Sequence, residues 1–262
     1  MKDIKDIYQK IVETEAKEIS ILEDSLATHV FPKVARILHI ALNPMKIKLA
    51  VQEYIKCKHV FQRFLNAVVD SFELEPGLNQ YGKPVIHSIK HRLKDEAHLE
   101  RKLERKSNDE EPITSNNIFE RITDLAGVRV LHLHQDQLPE IHNFIMGMVA
   151  SGDWALNESP VAYSWDPESQ KFFESLGITV KIKESYYTSI HYVVKPSNDD
   201  RVKCEIQVRT LFEEIWGEID HTINYPEESL SVATKEQLKV LSKLVSTGSR
   251  LADSIFRLDH LK

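Results

Sequence analysis

Cysteine is scarce in this chain. Only Cys57 and Cys204 occur among 262 residues, which excludes a disulfide framework and any cysteine-based zinc site and fits a reducing compartment. Long apolar runs are missing as well. The opening MKDIKDIYQK has no hydrophobic signal core, and no stretch of about 18 uncharged apolar residues follows, so the expectation is a cytoplasmic protein with no membrane span. No internal repeat or low-complexity tract is visible. Excess positive charge is lacking too: 34 Lys and Arg stand against 40 Asp and Glu, a formal net charge of −6. Wholesale coating of nucleic acid needs a basic surface and is excluded, while a local basic pocket remains allowed. What remains is ordinary globular material, 42% hydrophobic and 28% charged, in a chain long enough to bury a core.

Three regions separate by pattern. Residues 1–80 read as a helical region, with Ile4, Ile7 and Ile11 at helical spacing, an interruption at Asn43-Pro44, and few breakers from Leu49 to Phe72. Residues 81–225 mix helix and strand patterns. Residues 226–262 return to helix, with Leu238, Leu241, Leu251, Ile255 and Leu258 spaced for one or two amphipathic segments. Gly77 to Lys83 (GLNQYGK) has the spacing of a phosphate-binding loop, but Pro84 stands where a magnesium-binding hydroxyl is needed and removes an N–H donor. It reads as a turn.

The chemistry-bearing signals lie in the middle region. In VKCEIQVR, Val202, Cys204, Ile206 and Val208 alternate with Lys203, Glu205, Gln207 and Arg209, the period of a half-buried strand. In YTSIHYVV, Tyr187, Ser189 and His191 alternate with Ile190, Tyr192 and Val194, and the short PSNDD link predicts a hairpin between the two. If their apolar faces share a core, Tyr187, Ser189 and His191 lie on one sheet surface with Glu205, Gln207 and Arg209. That surface is either a site or a solvated face with incidental charges. Upstream, ITDLAGVRVLHLH predicts a helix or loop ending at Asp124 and a turn through Gly127 into a strand. Alone, Asp124 reads as a cap or turn residue. Paired with Glu205, it offers two hard oxygen ligands of the kind that hold magnesium beside phosphates and water. Finally, HSIKHRLKDEAHLERKLERK concentrates basic residues, and a helical second half puts His98, Lys102 and Arg105 on one face. Such a helix reads equally as a solvated surface with i,i+4 partners.

ITDLAGVRV, YTSIH, CEIQVRT and LFEEIWGEIDH resemble, in order and at suitable separations, successive motifs of the RelA/SpoT synthetase domain, over about residues 82 to 225. The resemblance implies an α+β fold: a mixed β-sheet flanked by helices, nucleotidyltransferase-like, here with N- and C-terminal helical extensions. It implies pyrophosphate transfer from ATP to the 3′-hydroxyl of GDP or GTP, making ppGpp or pppGpp and releasing AMP. Mg2+ is the implied cofactor, with Mn2+ as an alternative. By the same resemblance Asp124 is a metal ligand, and Glu205 a metal ligand or the base for the attacking hydroxyl. Tyr187 stacks on the acceptor base, Lys183 and His191 handle acceptor phosphates, and Gln207 belongs to the same acceptor site. Arg92, Lys94, His98, Lys102 and Arg105 match the donor ATP site. Arg129 and Arg209 supply nearby charge or structural ion pairs.

Three positions depart from the pattern. His98 replaces a Ser, Tyr186 replaces the Gly before the stacking Tyr, and the family's WAxxEH becomes Trp216-Gly217-Glu218-Ile219-Asp220-His221. Glycine admits positive φ and close approach, so Tyr186 leaves the acceptor open between a guanine nucleotide, an adenine nucleotide and the 3′ end of tRNA. A non-catalytic nucleotide sensor is a further alternative. No His-Asp dipeptide of the family's hydrolase domain occurs, so product hydrolysis is not implied. Homo-oligomerisation through the terminal helices is open.

Overall fold

The structure, a computed structural model, describes residues 32–107, 112–183, 185–224 and 231–259. The pattern of Ile4, Ile7 and Ile11 lies outside these residues. Among the described residues, none of the helices is long and apolar enough to cross a membrane. The chain divides into two compact units, one of residues 1–59 with 94–122, the other of 60–93 with 123–262.

Helix α1 (Pro32–Glu73) runs through Asn43-Pro44 without the expected interruption. A proline inside a helix removes one backbone hydrogen bond and costs about 3 kcal/mol. The helix continues because Ile47, Ala50, Tyr54, Phe61, Leu65, Val68 and Phe72 beyond it are all buried, and packing outweighs local propensity. In the first unit the Tyr54 hydroxyl donates to the Lys94 carbonyl oxygen at 2.9 Å. Helix α2 (Glu96–Lys106) is capped by Asp95, whose carboxylate accepts from the His98 amide at 3.1 Å. It buries Leu99 and Leu103. A single turn, α3 (Ile118–Arg121), completes this unit.

The second unit is built on a mixed seven-stranded sheet: β1 (Ser88–Leu93), β2 (Ala126–His132), β3 (Trp154–Leu156), β4 (Val161–Tyr163), β5 (Thr179–Lys181), β6 (Ser189–Pro196) and β7 (Cys204–Thr210). The order is β1-β2-β7-β6-β4-β5, with β3 also on β6. β2 and β7 are parallel, as are β4 and β5, and the remaining pairs are antiparallel. The expected hairpin is therefore β6–β7. Its strands begin two residues later than the alternation suggested, so Tyr187 precedes β6 rather than lying in it. The basic segment splits between strand β1 and helix α2. Gly127 sits inside β2, not in a turn.

Helices α4 (Leu138–Ala150), α5 (Pro167–Ser175), α6 (Leu211–Asn224) and α7 (Val232–Asp259) accompany the sheet. The apolar sides of the central strands, Val128, Val130, Ile190, Tyr192, Cys204, Ile206 and Val208, are fully buried. Phe72 of α1 packs on Phe144 of α4 and on Trp154 of β3, with ring centroids 5.0 and 6.0 Å apart. This is the α+β architecture, with a mixed sheet flanked by helices, that the sequence resemblance implied.

Candidate active site

Strand register decides which side chains meet. One cross-sheet row runs Arg92–Gly127–Glu205–Val193, and the next runs Lys90–Arg129–Gln207–His191–Val161. Because side chains alternate along a strand, both rows project from the polar face. Gly127 lacks a side chain between Arg92 and Glu205 and leaves that row open. The result is a cavity of about 170 Å³ lined by Lys90, His91, Arg92, Asp124, Gly127, Val128, Arg129, Glu205 and Gln207. Asp124 lies between the end of α3 and the start of β2. No helix starts at it, so it is not an N-cap.

Beside this cavity five side chains close a ring of hydrogen bonds. A carboxylate only accepts, so His191 Nδ1 donates to Glu205 Oε1 at 3.0 Å. The other ring nitrogen, His191 Nε2, lies 3.0 Å from the Tyr187 hydroxyl. Arg209 Nη2 donates to the Tyr187 oxygen and to Gln207 Oε1, each at 2.6 Å. Gln207 Nε2 donates to Glu205 Oε2 at 2.7 Å. Burial works to raise the Glu205 pKa, but the hydrogen bond and charge of His191 and the Gln207 amide hold it below the ordinary carboxylate value, against the repulsion of Asp124. Glu205 is thus ionised near neutrality.

A second layer of charge supports the ring. Immediately after β7, Thr210 and Glu213 form a reciprocal cap, the Thr210 amide donating to Glu213 Oε2 at 2.7 Å and the Glu213 amide to Thr210 Oγ1 at 3.2 Å. That cap starts α6 and points Glu214 back at the sheet. Glu214 accepts from Lys90 at 2.8 Å, from Arg129 at 3.1 Å and from Arg209 at 3.2 Å. Arg129 also donates to Glu218. Burial opposes ionisation of Glu214, yet these three cations hold its pKa below the usual range.

Tyr187 is half-buried, and its ring is already engaged. The Lys183 ammonium lies 4.7 Å from its centroid and 4.0 Å from that of Tyr163, while the Arg209 guanidinium carbon is 5.2 Å away. Burial lowers the Lys183 pKa, with Glu205 working the other way. Tyr186 lies outside β6, so strand alternation does not set its direction. Its φ is 62°, the left-handed conformation that glycine adopts freely. Its ring packs on Trp165 with centroids 5.2 Å apart.

The second unit therefore brings Arg92, Asp124, Glu205 and Gln207 to one cavity and joins Tyr187, His191 and Lys183 to it through shared partners. Lys94, His98, Lys102 and Arg105 belong to the first unit, the last three on α2. Sequence reading missed Lys90, Glu214 and Tyr163. The pairs that reveal Lys90 and Glu214 lie 124 and 85 positions apart, and Tyr163 shows itself only through Lys183 and His191 folded against it; no local pattern carries such a signal. Among the described residues, one further group of metal-ligating side chains, His134, Asp136 and Asp253, lies past the other end of β2. There Asp253 accepts from the Asp136 amide at 3.0 Å and pairs with His134 at 3.2 Å, tying α7 to the turn after β2.

Comparison with known proteins agrees with this architecture. The family model described as "Region found in RelA / SpoT proteins" matches residues 91–230. Curated proteins give no match. The fold is similar to small alarmone synthetase 1 from Bacillus subtilis, at 20% identity and TM-score 0.61, covering 80% of this chain and 100% of that one. The same protein bound to its product pppGpp matches at 22% identity and TM-score 0.61, with the same coverage. Bound to AMPCPP, it matches at 19% identity and TM-score 0.55, covering 77% and 96%. A GTP pyrophosphokinase family protein from Streptococcus pneumoniae matches at 19% identity and TM-score 0.57, covering 76% and 92%. With the family match spanning more than half of its 262 residues, the chain belongs to the RelA/SpoT family.

Proposed function

We propose that this protein transfers the β,γ-pyrophosphate of ATP to the 3′-hydroxyl of GDP or GTP, forming ppGpp or pppGpp and releasing AMP. The observation that carries the reading is the ring that links the ionised Glu205 through His191 to the Tyr187 phenol. It couples a base to an aromatic platform, which is what delivery of a nucleoside hydroxyl requires. The solved relatives bound to pppGpp and AMPCPP support a nucleotide at each side of the reaction.

In the step itself the 3′-oxygen bonds to the β-phosphorus, the bond from that phosphorus to the α,β-bridging oxygen breaks, and AMP leaves. The hydroxyl proton passes to Glu205, a general base of the kind that contributes about 10² to 10⁴ in rate. His191 fixes the carboxylate and keeps its second nitrogen on Tyr187. The acceptor base takes a face of Tyr187, displacing the Lys183 ammonium toward the acceptor phosphates. Gln207 holds Glu205 from the other side. Arg92 with Lys94, His98, Lys102 and Arg105 holds the donor phosphates by resemblance to the family motif.

The site fits a divalent cation. Asp124 and Glu205 line one cavity, and the charge of Asp124 pushes against ionisation of Glu205, a repulsion that a dication relieves. Asp124, with Glu205 beside it, would hold Mg2+, or Mn2+ in its place, which would supply charge neutralisation for the triphosphate. The test offers ATP with GDP, GTP, ADP or tRNA singly and measures AMP release. Turnover with guanine nucleotides that stops in chelator is expected. Turnover only with ADP or tRNA would move the acceptor, and tight nucleotide binding without AMP would make the protein a sensor.

A further inference from the structure

Gly217 stands in the interior of α6, where glycine is the poorest helix former after proline. Its position beside Arg209 supplies a reason. A Cβ built on Gly217 falls 2.9 Å from Arg209 Nη1, closer than side chains tolerate. Arg209 is only 3% exposed. A buried guanidinium is costly unless its donors are matched; here Nη1 meets Glu214 and Nη2 meets Tyr187 and Gln207, while Nε is buried without a partner, so the three contacts that exist carry the group. No slack remains for a sideways move that preserves all three contacts.

We propose that Gly217 and Arg209 are positioning residues for the acceptor platform: the missing side chain at 217 lets the guanidinium close against α6, and the guanidinium holds the Tyr187 phenol in place. The inference rests on the pyrophosphotransfer reading for its kinetic consequence, but its geometry stands alone. A methyl at 217 displaces the far end of a flexible side chain and not the backbone, so the fold survives. Once displaced, Nη2 leaves the Tyr187 oxygen, the phenol loses one of its two anchors, and the ring presented to the acceptor base loosens. Donor binding, assigned to other residues, is untouched.

Gly217→Ala tests this directly. The expected result is an acceptor KM raised about 5-fold or more with the ATP KM unchanged, in a folded protein whose melting temperature falls as buried Arg209 contacts are lost, offset in part by the helix preference of alanine. A role confined to stability would lower the melting temperature and leave the acceptor KM at the wild-type value. In an Arg209→Lys background, which has no Nη1 to displace, adding Gly217→Ala should change the acceptor KM less than about 2-fold. An acceptor KM left at the wild-type value, or an equal penalty in both backgrounds, overturns the proposal. Tyr187→Phe, which keeps the ring and deletes the anchored oxygen, should reproduce the acceptor defect, and wild-type kinetics in that variant would overturn it as well. Nitrogen-15 NMR of the nucleotide-free protein gives a readout independent of activity. Slowly exchanging Arg209 guanidinium protons should be seen in the wild type and lost in Gly217→Ala. Their persistence in the variant refutes the geometry, whereas a protein that turns over no acceptor but loses these signals refutes only the reaction assigned above.

Discussion

The polar face of the central strands and the basic helix α2 carry similar residue types in opposite settings. On the sheet, register fixes each charge against a counter-charge: Glu205 between His191 and Gln207, Glu214 among Lys90, Arg129 and Arg209. On α2, Arg101, Glu104, Arg105 and Lys106 are exposed, and what anchors the helix is Leu99 and Leu103. Groups fixed before a ligand arrives need not reorganise when charge develops, which is where enzymes gain most. Groups on an exposed helix are adaptable, and in the function proposed above those of α2 serve donor binding rather than chemistry. The difference predicts that sheet substitutions change turnover steeply, while helix substitutions change donor affinity modestly.

The largest effect should come from the sheet. Glu205→Gln keeps the shape and one acceptor oxygen but removes the base, so kcat should fall about 10² to 10⁴-fold with little change in melting temperature. The pH profile sharpens the same point. Because His191 helps depress the Glu205 pKa, activity should be retained below the ordinary glutamate value and fall as pH drops through the lowered one. His191→Ala removes that support and should move the acid limb upward. An acid limb that stays in place shows that Glu205 is not the titrating group. Next in size, Tyr187→Ala should cost about 1 to 3 kcal/mol of acceptor binding, the range for base–aromatic stacking, with ATP affinity intact by calorimetry.

The helix should respond less. Lys102→Ala or Arg105→Ala should raise the ATP KM with the acceptor KM unchanged, an effect on the order of 1 kcal/mol for a single charge on a solvated helix. A loss of kcat as large as that of Glu205→Gln would break the comparison and put α2 in the chemistry. Unchanged ATP kinetics would return it to a solvated surface.

Much of this was legible in residue patterns. Alternation in VKCEIQVR gave the polar face of β7, and the same period in YTSIHYVV gave Ser189 and His191 of β6, because period-two alternation reports a half-buried strand whatever its neighbours. What stayed hidden depends on pairing at long range. Glu214 lies one position after a helix cap and looks like any surface acid until Lys90 and Arg129 are folded onto it. Pro44 misled, because local propensity counts the lost hydrogen bond but not the buried residues that follow. Tyr186 was visible as a departure from the glycine of the family pattern, but only the backbone shows that the departure retains a glycine's φ.

Tyr186 offers the finest test, since it sits next to the platform residue and combines a cost with a gain. A non-glycine residue in the left-handed region loses about 1 to 2 kcal/mol. The tilted packing of its ring on Trp165 returns about 0.5 to 1.5 kcal/mol. Tyr186→Gly removes both, so stability should change by less than about 1 kcal/mol. Tyr186→Ala removes the ring and keeps the strain, so it should be the less stable variant by about 1 kcal/mol, measured by urea denaturation. If the tyrosine also shapes the acceptor pocket through this backbone, Tyr186→Gly should shift the ratio of GDP, GTP and ADP use, while Tyr186→Ala, which retains the φ, should not. Equal acceptor ratios in both variants and the wild type would confine Tyr186 to packing on Trp165 and leave acceptor choice to Tyr187 and its anchors.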